Sequence, residues 1–427
     1  MNRRHQSGSV FIFTLAVLAA LVSVLVVVAG NQRTIVRDVI QRNELERAKR
    51  AAETGLQRAL AEIVASREST TGTSSTVTKK PTLSTDSWAT LGNRGDEEFE
   101  VDDLTFRMQI VDTAGLLNLN SATEAQLQKL PLTTEQIESL LDFREGSRDA
   151  RPEGAKDEYY NNLTNGYNAK LANFETVDEL LQVKGFTADV LYNTVESITS
   201  SGLVPGRNGE TPILYDLLTA YSFSPEVTPT GTAKINVNAQ GTNAQRLRQP
   251  PLNFNFQLSN QIAARKNWTL AELLALPGLA GANQQRTVLD NLTTSGAPRI
   301  QGKINLNTAD ESVLSSVPEL TPDIVQAILQ RQSQGFESLG DVTSIPGMTG
   351  TVLQQTAARF TVYSDTFLVR VVGKAGSASV PLEAIVDVQN DRIKVISIST
   401  PPYNDMRTRW YWQTDPTATV TIVEKRS

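Results

Sequence analysis

Six carboxylates crowd residues 142–158: Asp142, Glu145, Asp149, Glu153, Asp157 and Glu158, spaced by Gly146, Pro152 and Gly154. Calcium takes six to eight oxygens from loops of this composition, so Asp149, Glu153, Asp157 and Glu158 are the calcium candidates. No Asp-x-Asp-x-Asp-Gly spacing is present, however, and Arg144, Arg148, Arg151 and Lys156 lie among the acids. A solvated acidic loop is the favoured reading. The pairs Glu97/Glu98 and Asp102/Asp103 invite an acid–base role, but neighbours along a strand point to opposite faces, which favours solvated side chains. The remaining catalytic chemistry is limited by composition. The chain has no cysteine, which removes thiol nucleophiles, disulfides and Cys-ligated metals. Its single histidine, His5, lies in a basic leader, so no His-dependent triad or His-ligated metal is expected deeper in the chain. We expect no enzyme.

The 427 residues allow two to four domains and a large buried core. A net charge of −6 argues against a protein that coats nucleic acid or anionic lipid. The N-terminus carries the clearest signal. After Arg3, Arg4, His5 and Gly8, residues 9–30 are uncharged and mostly Val, Leu, Ala, Phe and Ile. Such a run is long enough for one transmembrane helix. No proline occurs between Ser9 and Lys80, and apolar residues recur at Val36, Val39, Ile40, Leu45, Ala52, Leu56, Leu60 and Ile63. That spacing predicts one continuous helix of about 55 residues, apolar at first and amphipathic afterwards. A cleaved secretory signal ending at Val28-Ala29-Gly30 and a plain signal anchor both remain open. A third reading is that Arg3-Arg4-His5-Gln6-Ser7-Gly8 resembles a type IV prepilin leader, in which the cut falls before Ser9 and the helix is kept.

Residues 66–85 hold twelve Ser or Thr and read as a linker. Alternation at Phe99 and Val101, and at Leu104, Phe106, Met108 and Ile110, predicts two strands around Asp102-Asp103. The same period returns at 367–372, 380–388 and 392–399, split by Lys374-Ala375-Gly376 and Asn390-Asp391. Strands therefore flank a mainly helical middle, and closing the sheet would set residues near 105 beside residues near 370. Trp410-Tyr411-Trp412 is either an exposed interaction patch or a cover for the end of the sheet.

The middle repeats itself. Leu117-Asn118-Leu119-Asn120, Ile235-Asn236-Val237-Asn238 and Ile304-Asn305-Leu306-Asn307 share one alternating motif. Ser121…Glu124 and Thr308…Glu311 read as capping boxes that start helices. Phe174-Glu175-Thr176, Trp268-Thr269 and Phe336-Glu337-Ser338 form a second recurring motif. Helices are predicted at 135–143 and 322–331, the latter opened by Thr321-Pro322. The unit resembles helix-hairpin-helix modules. Yet residues 116–200 carry 14 acids against 7 bases, and residues 304–362 carry 6 against 2. Phosphate binding needs the opposite sign, so no nucleic-acid partner is expected.

Taken together, these features resemble the general secretion pathway protein K family, the K-type minor pseudopilins of type II secretion. The resemblance rests on the leader, on the strands around a capped helical insertion, and above all on residues 304–310 and 336–346. Phe13 stands where major pilins carry a glutamate at the fifth mature position; a subunit with no neighbour packed above it does without that carboxylate. The resemblance implies an α+β fold: a long transmembrane and amphipathic helix with a small antiparallel pilin-like sheet, interrupted by an all-α insertion of helix-hairpin-helix or SAM-like repeats. The expected divisions are a leader (1–8), a transmembrane helix (9–30), a stalk (31–65), a linker with the first strands (66–112), an inserted domain (113–363) and C-terminal strands (364–427). It implies a protein of the bacterial inner membrane, single-pass, with its bulk in the periplasm. A prepilin peptidase would cut after Gly8, and Ser9 would be methylated. Phe13, Val36, Val39, Ile40 and Leu45 would pack against other filament helices. The chain would cap the pseudopilus tip with other minor pseudopilins and prime its assembly for protein secretion, with calcium as a possible ligand. A membrane-anchored DNA-uptake protein and a minor pilin of a type IV pilus are the alternatives.

Overall fold

The computed structural model describes residues 6–67, 79–192, 213–389, 392–401, 410 and 412, and the side chains of all of these except 6–10 and 26–35. Helix α1 runs unbroken over Gln6–Arg67, as the absence of proline allows. Among the described residues no helix is long and apolar enough to cross a membrane.

The C-terminal half of α1 lies across a five-stranded antiparallel sheet. Strand β1 (Glu98–Val101) pairs with β2 (Leu104–Asp112), which pairs with the central strand Thr366–Ala375; Ala378–Gln389 and Arg392–Ser399 follow in order. The predicted closure is observed, with Thr105 opposite Lys374 and Gln109 opposite Arg370. Asp102 and Asp103 form the tight turn between β1 and β2 and are exposed, Asp102 at φ 55°. Helix and sheet meet through small residues. Ala48, Ala51, Ala52 and Ala59 are fully buried, and Leu56 and Ile63 reach down onto Phe106, Met108, Val369 and Val371. Burying each large apolar side chain of this set contributes about 1.5–3 kcal/mol relative to leaving it in water.

The insertion leaves the sheet at Asp112 and returns at Thr366, so one strand ending and another beginning as neighbours accommodate some 250 intervening residues without opening the ladder. Within it the three Asn motifs each supply a two-residue strand paired in parallel: Leu117–Asn118 with Leu218–Thr219, Ile235–Asn236 with Leu292–Thr293, and Ile304–Asn305 with Phe360–Thr361. The predicted helices are found at Thr134–Arg144 and Pro322–Gln332.

The insertion is not all-α as expected, because short strands pair within it, Phe223–Pro225 with Arg299–Gln301 among them, and satisfy backbone groups between its helices. Two local expectations are also corrected. The helices after the first and third motifs start at Glu124 and Glu311; the first is capped by a Thr123–Gln126 capping box rather than at Ser121, and the third has Asp310, not Thr308, at its N-cap position without a side-chain capping bond. The delay comes from the motif itself, because Asn118 and Asn305 turn the chain by accepting from the amides two residues on. The end of the predicted linker is also structured. The Thr82 amide donates to the Val362 carbonyl at 2.9 Å, its hydroxyl accepts from the Ser364 amide at 3.0 Å, and Trp88 is buried. The remainder, 68–78, lies outside the described residues.

Candidate assembly interface

Helix α1 divides into two parts with opposite surroundings. From Ala48 onward one face is buried on the sheet, whereas residues 11–25 and 36–43 are exposed on every side. Phe13 is 70% exposed, and Val36, Val39, Ile40 and Leu45 are 56, 60, 52 and 49% exposed. Phe13, Val36, Val39 and Ile40 therefore share the stretch of helix before the docked half, about 57 Å long from residue 6 to residue 43, and Leu45 lies just beyond it beside Glu44. Gly8 and Ser9 lie at its start, where only the backbone is described.

Polar contacts fasten the docked half at its two ends. At the lower end, Glu44 accepts from the amide and hydroxyl of Ser377 in the turn after the central strand. Those two bonds hold the Glu44 carboxyl below its usual range. Arg47 pairs with Asp103 in the neighbouring hairpin. At the upper end, Arg67 donates to the Ser364 carbonyl at 2.6 Å and to Asp365 at 2.7 Å.

The upper end is also where the insertion sits. Arg299, within the short strand Arg299–Gln301, donates to Asp365 at 3.1 Å and grips Asp387 through both terminal nitrogens, at 2.5 and 3.0 Å. Tyr221 donates to the same Asp387; burial, reinforced by that carboxylate, pushes its phenol up to about 12. On the other side of the junction Arg370 of the central strand pairs with Asp216 of the insertion at 2.8 Å and with Glu383 at 3.2 Å. Between these anchors Asp112 accepts from the Ala114 amide at 2.9 Å, Asn305 at 2.7 Å and Thr308 at 2.6 Å. Burial raises its carboxyl above the ordinary range, against the pull of those bonds. The insertion is thus held rigidly at the end of the head remote from the free helix.

Inside the insertion one device recurs three times. The last Asn of each motif brackets an aromatic residue: Asn120 donates to the Phe174 carbonyl at 2.9 Å and accepts from its amide at 2.7 Å. Asn238 does the same to Trp268 at 2.9 and 2.7 Å, and Asn307 to Phe336 at 3.0 and 2.7 Å. Each aromatic residue precedes a turn in which the amide of Thr176, Thr269 or Ser338 donates to the carboxylate three residues on, that of Glu179, Glu272 or Asp341. Near the end of the longer helix a donor closes the unit, with Arg144 reaching the Ala122 carbonyl, Lys266 the Thr242 carbonyl and Gln332 the Ala309 carbonyl. The motif Asn residues were legible in the sequence. Their partners, 29 to 54 residues away, were not.

The calcium candidates do not converge. Asp142, which is buried, accepts from the Arg151 side chain at 2.7 Å and its amide at 2.9 Å, and Glu145 accepts from the same guanidinium at 2.8 Å. Asp157 accepts from the Ala169 amide at 2.8 Å, while Asp149, Glu153 and Glu158 are exposed. Among the described residues no group of three or more acids or histidines is placed to hold a metal ion. The tryptophans resolve the other way from an exposed patch. Trp410 and Trp412 are 1 and 2% exposed, their ring centroids 5.0 Å apart, and Trp412 donates to Gln109 of β2 at 2.8 Å. They cover the sheet; Tyr411 lies outside the described residues.

Residues 114–199 and 304–362 match two family models, both described as Type II secretion system (T2SS), protein K. The two matched segments contain the first and third Asn–aromatic brackets. Among solved structures, the chain is similar to one chain in the crystal structure of the GspK-GspI-GspJ complex from the enterotoxigenic Escherichia coli type 2 secretion system. The TM-score is 0.50 at 12% identity, covering 86% of this chain and 99% of that one, a likeness of fold. No curated protein matches the chain significantly.

Proposed function

We propose that this chain, a type II secretion system protein K by its two matched segments, is a minor pseudopilin that caps the tip of a periplasmic pseudopilus and primes its assembly. The observation that carries this reading is the polarity of the head. The free, apolar stretch of α1 leaves at the Glu44–Ser377 end, and the insertion grows from the Arg67–Asp365 end. A helix of this kind joins others through its apolar stripe, at roughly 25 cal/mol per Å² removed from water before association costs. Neighbours can add beside the free helix, below the head. The insertion fills the position that a further subunit would need above it.

The rest of the reading follows from the sequence. Residues 9–30 sit in the inner membrane after cleavage behind Gly8, Ser9 becomes the methylated first residue, and the bulk of the chain is periplasmic. The crystal complex joins GspK to GspI and GspJ. By analogy the partners here are two further minor pseudopilins, with prepilin peptidase acting beforehand. Phe13, at the mature fifth position, suits a subunit with nothing stacked above it. The acidic repeats support protein contacts rather than duplex DNA.

The test is a gold-labelled tag on the insertion in assembled pseudopili. Label confined to filament ends is the expected result. Label at regular intervals along the filaments would contradict the reading.

A further inference from the structure

We propose that the second of the three repeats carries a docking surface for an acidic segment of a partner protein, held by Arg246, Arg248 and Phe256. Charge sets this repeat apart. From the Asn motif to the end of the longer helix, the first repeat (residues 121–144) holds four acids against two bases, and the third (308–332) holds four against one. The same stretch of the second repeat (239–264) holds no acid and no lysine, only Arg246 and Arg248. One construction thus turns a cationic face outward in the second repeat and acidic faces in the other two.

The face is open and its charges are unspent. Leu247 is fully buried in the short helix Ala244–Leu247, and the arginines on either side of it are exposed. The carboxylates of the repeat are engaged elsewhere: Glu272 pairs with Arg265, and Asp290 accepts from the Gly340 amide at 2.7 Å and the Ser338 hydroxyl at 3.1 Å. No salt bridge reaches Arg246 or Arg248 among the described residues. Arg248 donates through Nε to the Ala244 carbonyl at 3.2 Å, and its guanidinium lies over the Phe256 ring, 5.3 Å from the centroid. Stacking occupies the flat of the guanidinium and leaves its edge to receive a carboxylate. Phe256 opens the helix Phe256–Ala264 and is 68% exposed, more than any other large apolar side chain described outside α1. An exposed aromatic ring beside arginines, with Asp, Glu and Lys missing, is the composition of an interface centre.

The chemistry of the turn favours a protein segment over a nucleic acid. Helical hairpins hold phosphate through free backbone amides. Here Pro250 and Pro251 have no N–H, and the amides of Leu252 and Asn253 both donate to the Gln249 carbonyl at 3.1 Å. The Phe254 amide donates to the Leu247 carbonyl at 3.1 Å, and the Asn255 side chain accepts from the Leu258 amide at 2.8 Å. Recognition therefore falls to side chains. A duplex, with one charge about every 1.7 Å of its axis, would also run onto the acidic third repeat, which Arg286 and Asp341 tie to this one. A short acidic segment covers only the acid-free face. Its carboxylates meet Arg246 and the edge of Arg248, and an apolar residue between them covers the open side of the Phe256 ring.

The full-length protein in a non-ionic detergent serves as bait for a phage-displayed library of random linear peptides. Enriched peptides are synthesised and titrated by fluorescence anisotropy. They are expected to carry an excess of Asp and Glu around an apolar residue, and to bind less tightly as salt rises. Phe256→Ser, and Arg246→Gln combined with Arg248→Gln, should each weaken them about tenfold. These side chains are exposed, so Tm should not change. Enrichment of no peptide, or of peptides without an acidic excess, overturns the proposal. Equal binding by the variants overturns it too, as does tighter binding of a short DNA duplex at the same face. The experiment needs no filament, so it and the gold-label result can fail separately.

Discussion

Gly373 of the central strand lies directly under Ala48 of α1: a Cβ added at Gly373 would come 2.1 Å from the Ala48 carbonyl oxygen and 2.3 Å from the Ala52 amide nitrogen. Both obstacles are helix backbone and cannot rotate away. Gly55 answers from the helix side, where a Cβ would meet Val371 at 2.5 Å. Gly373→Ala should therefore lift the helix from the sheet, at a cost of about 1–3 kcal/mol or more. Urea unfolding of the variant checks this; an unchanged midpoint would refute the close approach.

The Asn–aromatic brackets should be graded by burial. Asn307 is 1% exposed, whereas Asn120 is only partly buried. Asn307→Ala strands the amide and carbonyl of Phe336 away from water, costing roughly 2–6 kcal/mol at about 1–3 kcal/mol for each of the two orphaned groups. Asn120→Ala should cost less. The order is read from the two denaturation midpoints.

Arg299→Ala removes both partners' shared cation and leaves Asp387, which is 1% exposed, in a buried pocket without its bidentate neighbour. Breaking one side of a buried pair costs about 3–5 kcal/mol. The damage should fall on the junction between insertion and head. Limited proteolysis should then cleave the insertion free before the sheet is attacked, whereas the parent protein resists.

Lys234 supplies a pH signature. It donates to the Leu289 carbonyl at 2.7 Å beside Glu226, Lys303 and Asp290, and burial, aided by Lys303, pulls its ammonium from 10.5 down to about 8. A base whose folded value is depressed is disfavoured in its charged form by folding. Between pH 8 and 10.5 the unfolded chain binds the extra proton, so this group makes stability rise with pH there, by at most about 1.4 kcal/mol per pH unit. Below pH 8 its contribution is flat. The stability difference between the parent and Lys234→Met should shift in the parent's favour as pH rises through that window.

Much of this fold could be read from the chain. Strict alternation located the head strands to within a few residues, since one face of each is buried and a one-residue slip would invert it. Closure of the sheet then placed both ends of the insertion. The Asn motifs announced three repeats. What could not be read depends on contacts remote in sequence: Arg67 meets Asp365 across 298 residues, and Thr113 meets Thr366 across 253. Ion pairs carry no periodicity, so nothing in the local pattern marks them. Thr82 illustrates the same limit, because a Ser/Thr-rich stretch looks like a linker until its backbone finds Val362. The division of α1 into docked and free halves was likewise hidden, since Leu45 and Leu56 belong to one apolar series and only the sheet separates their roles.

The account depends most on the apolar half of α1 remaining attached to the head after processing. The mass of the mature protein's N-terminal peptide, taken from its native membrane, tests this directly. A first residue at Ser9 is the predicted result. A chain beginning at Asn31, or one retaining Met1, would contradict it.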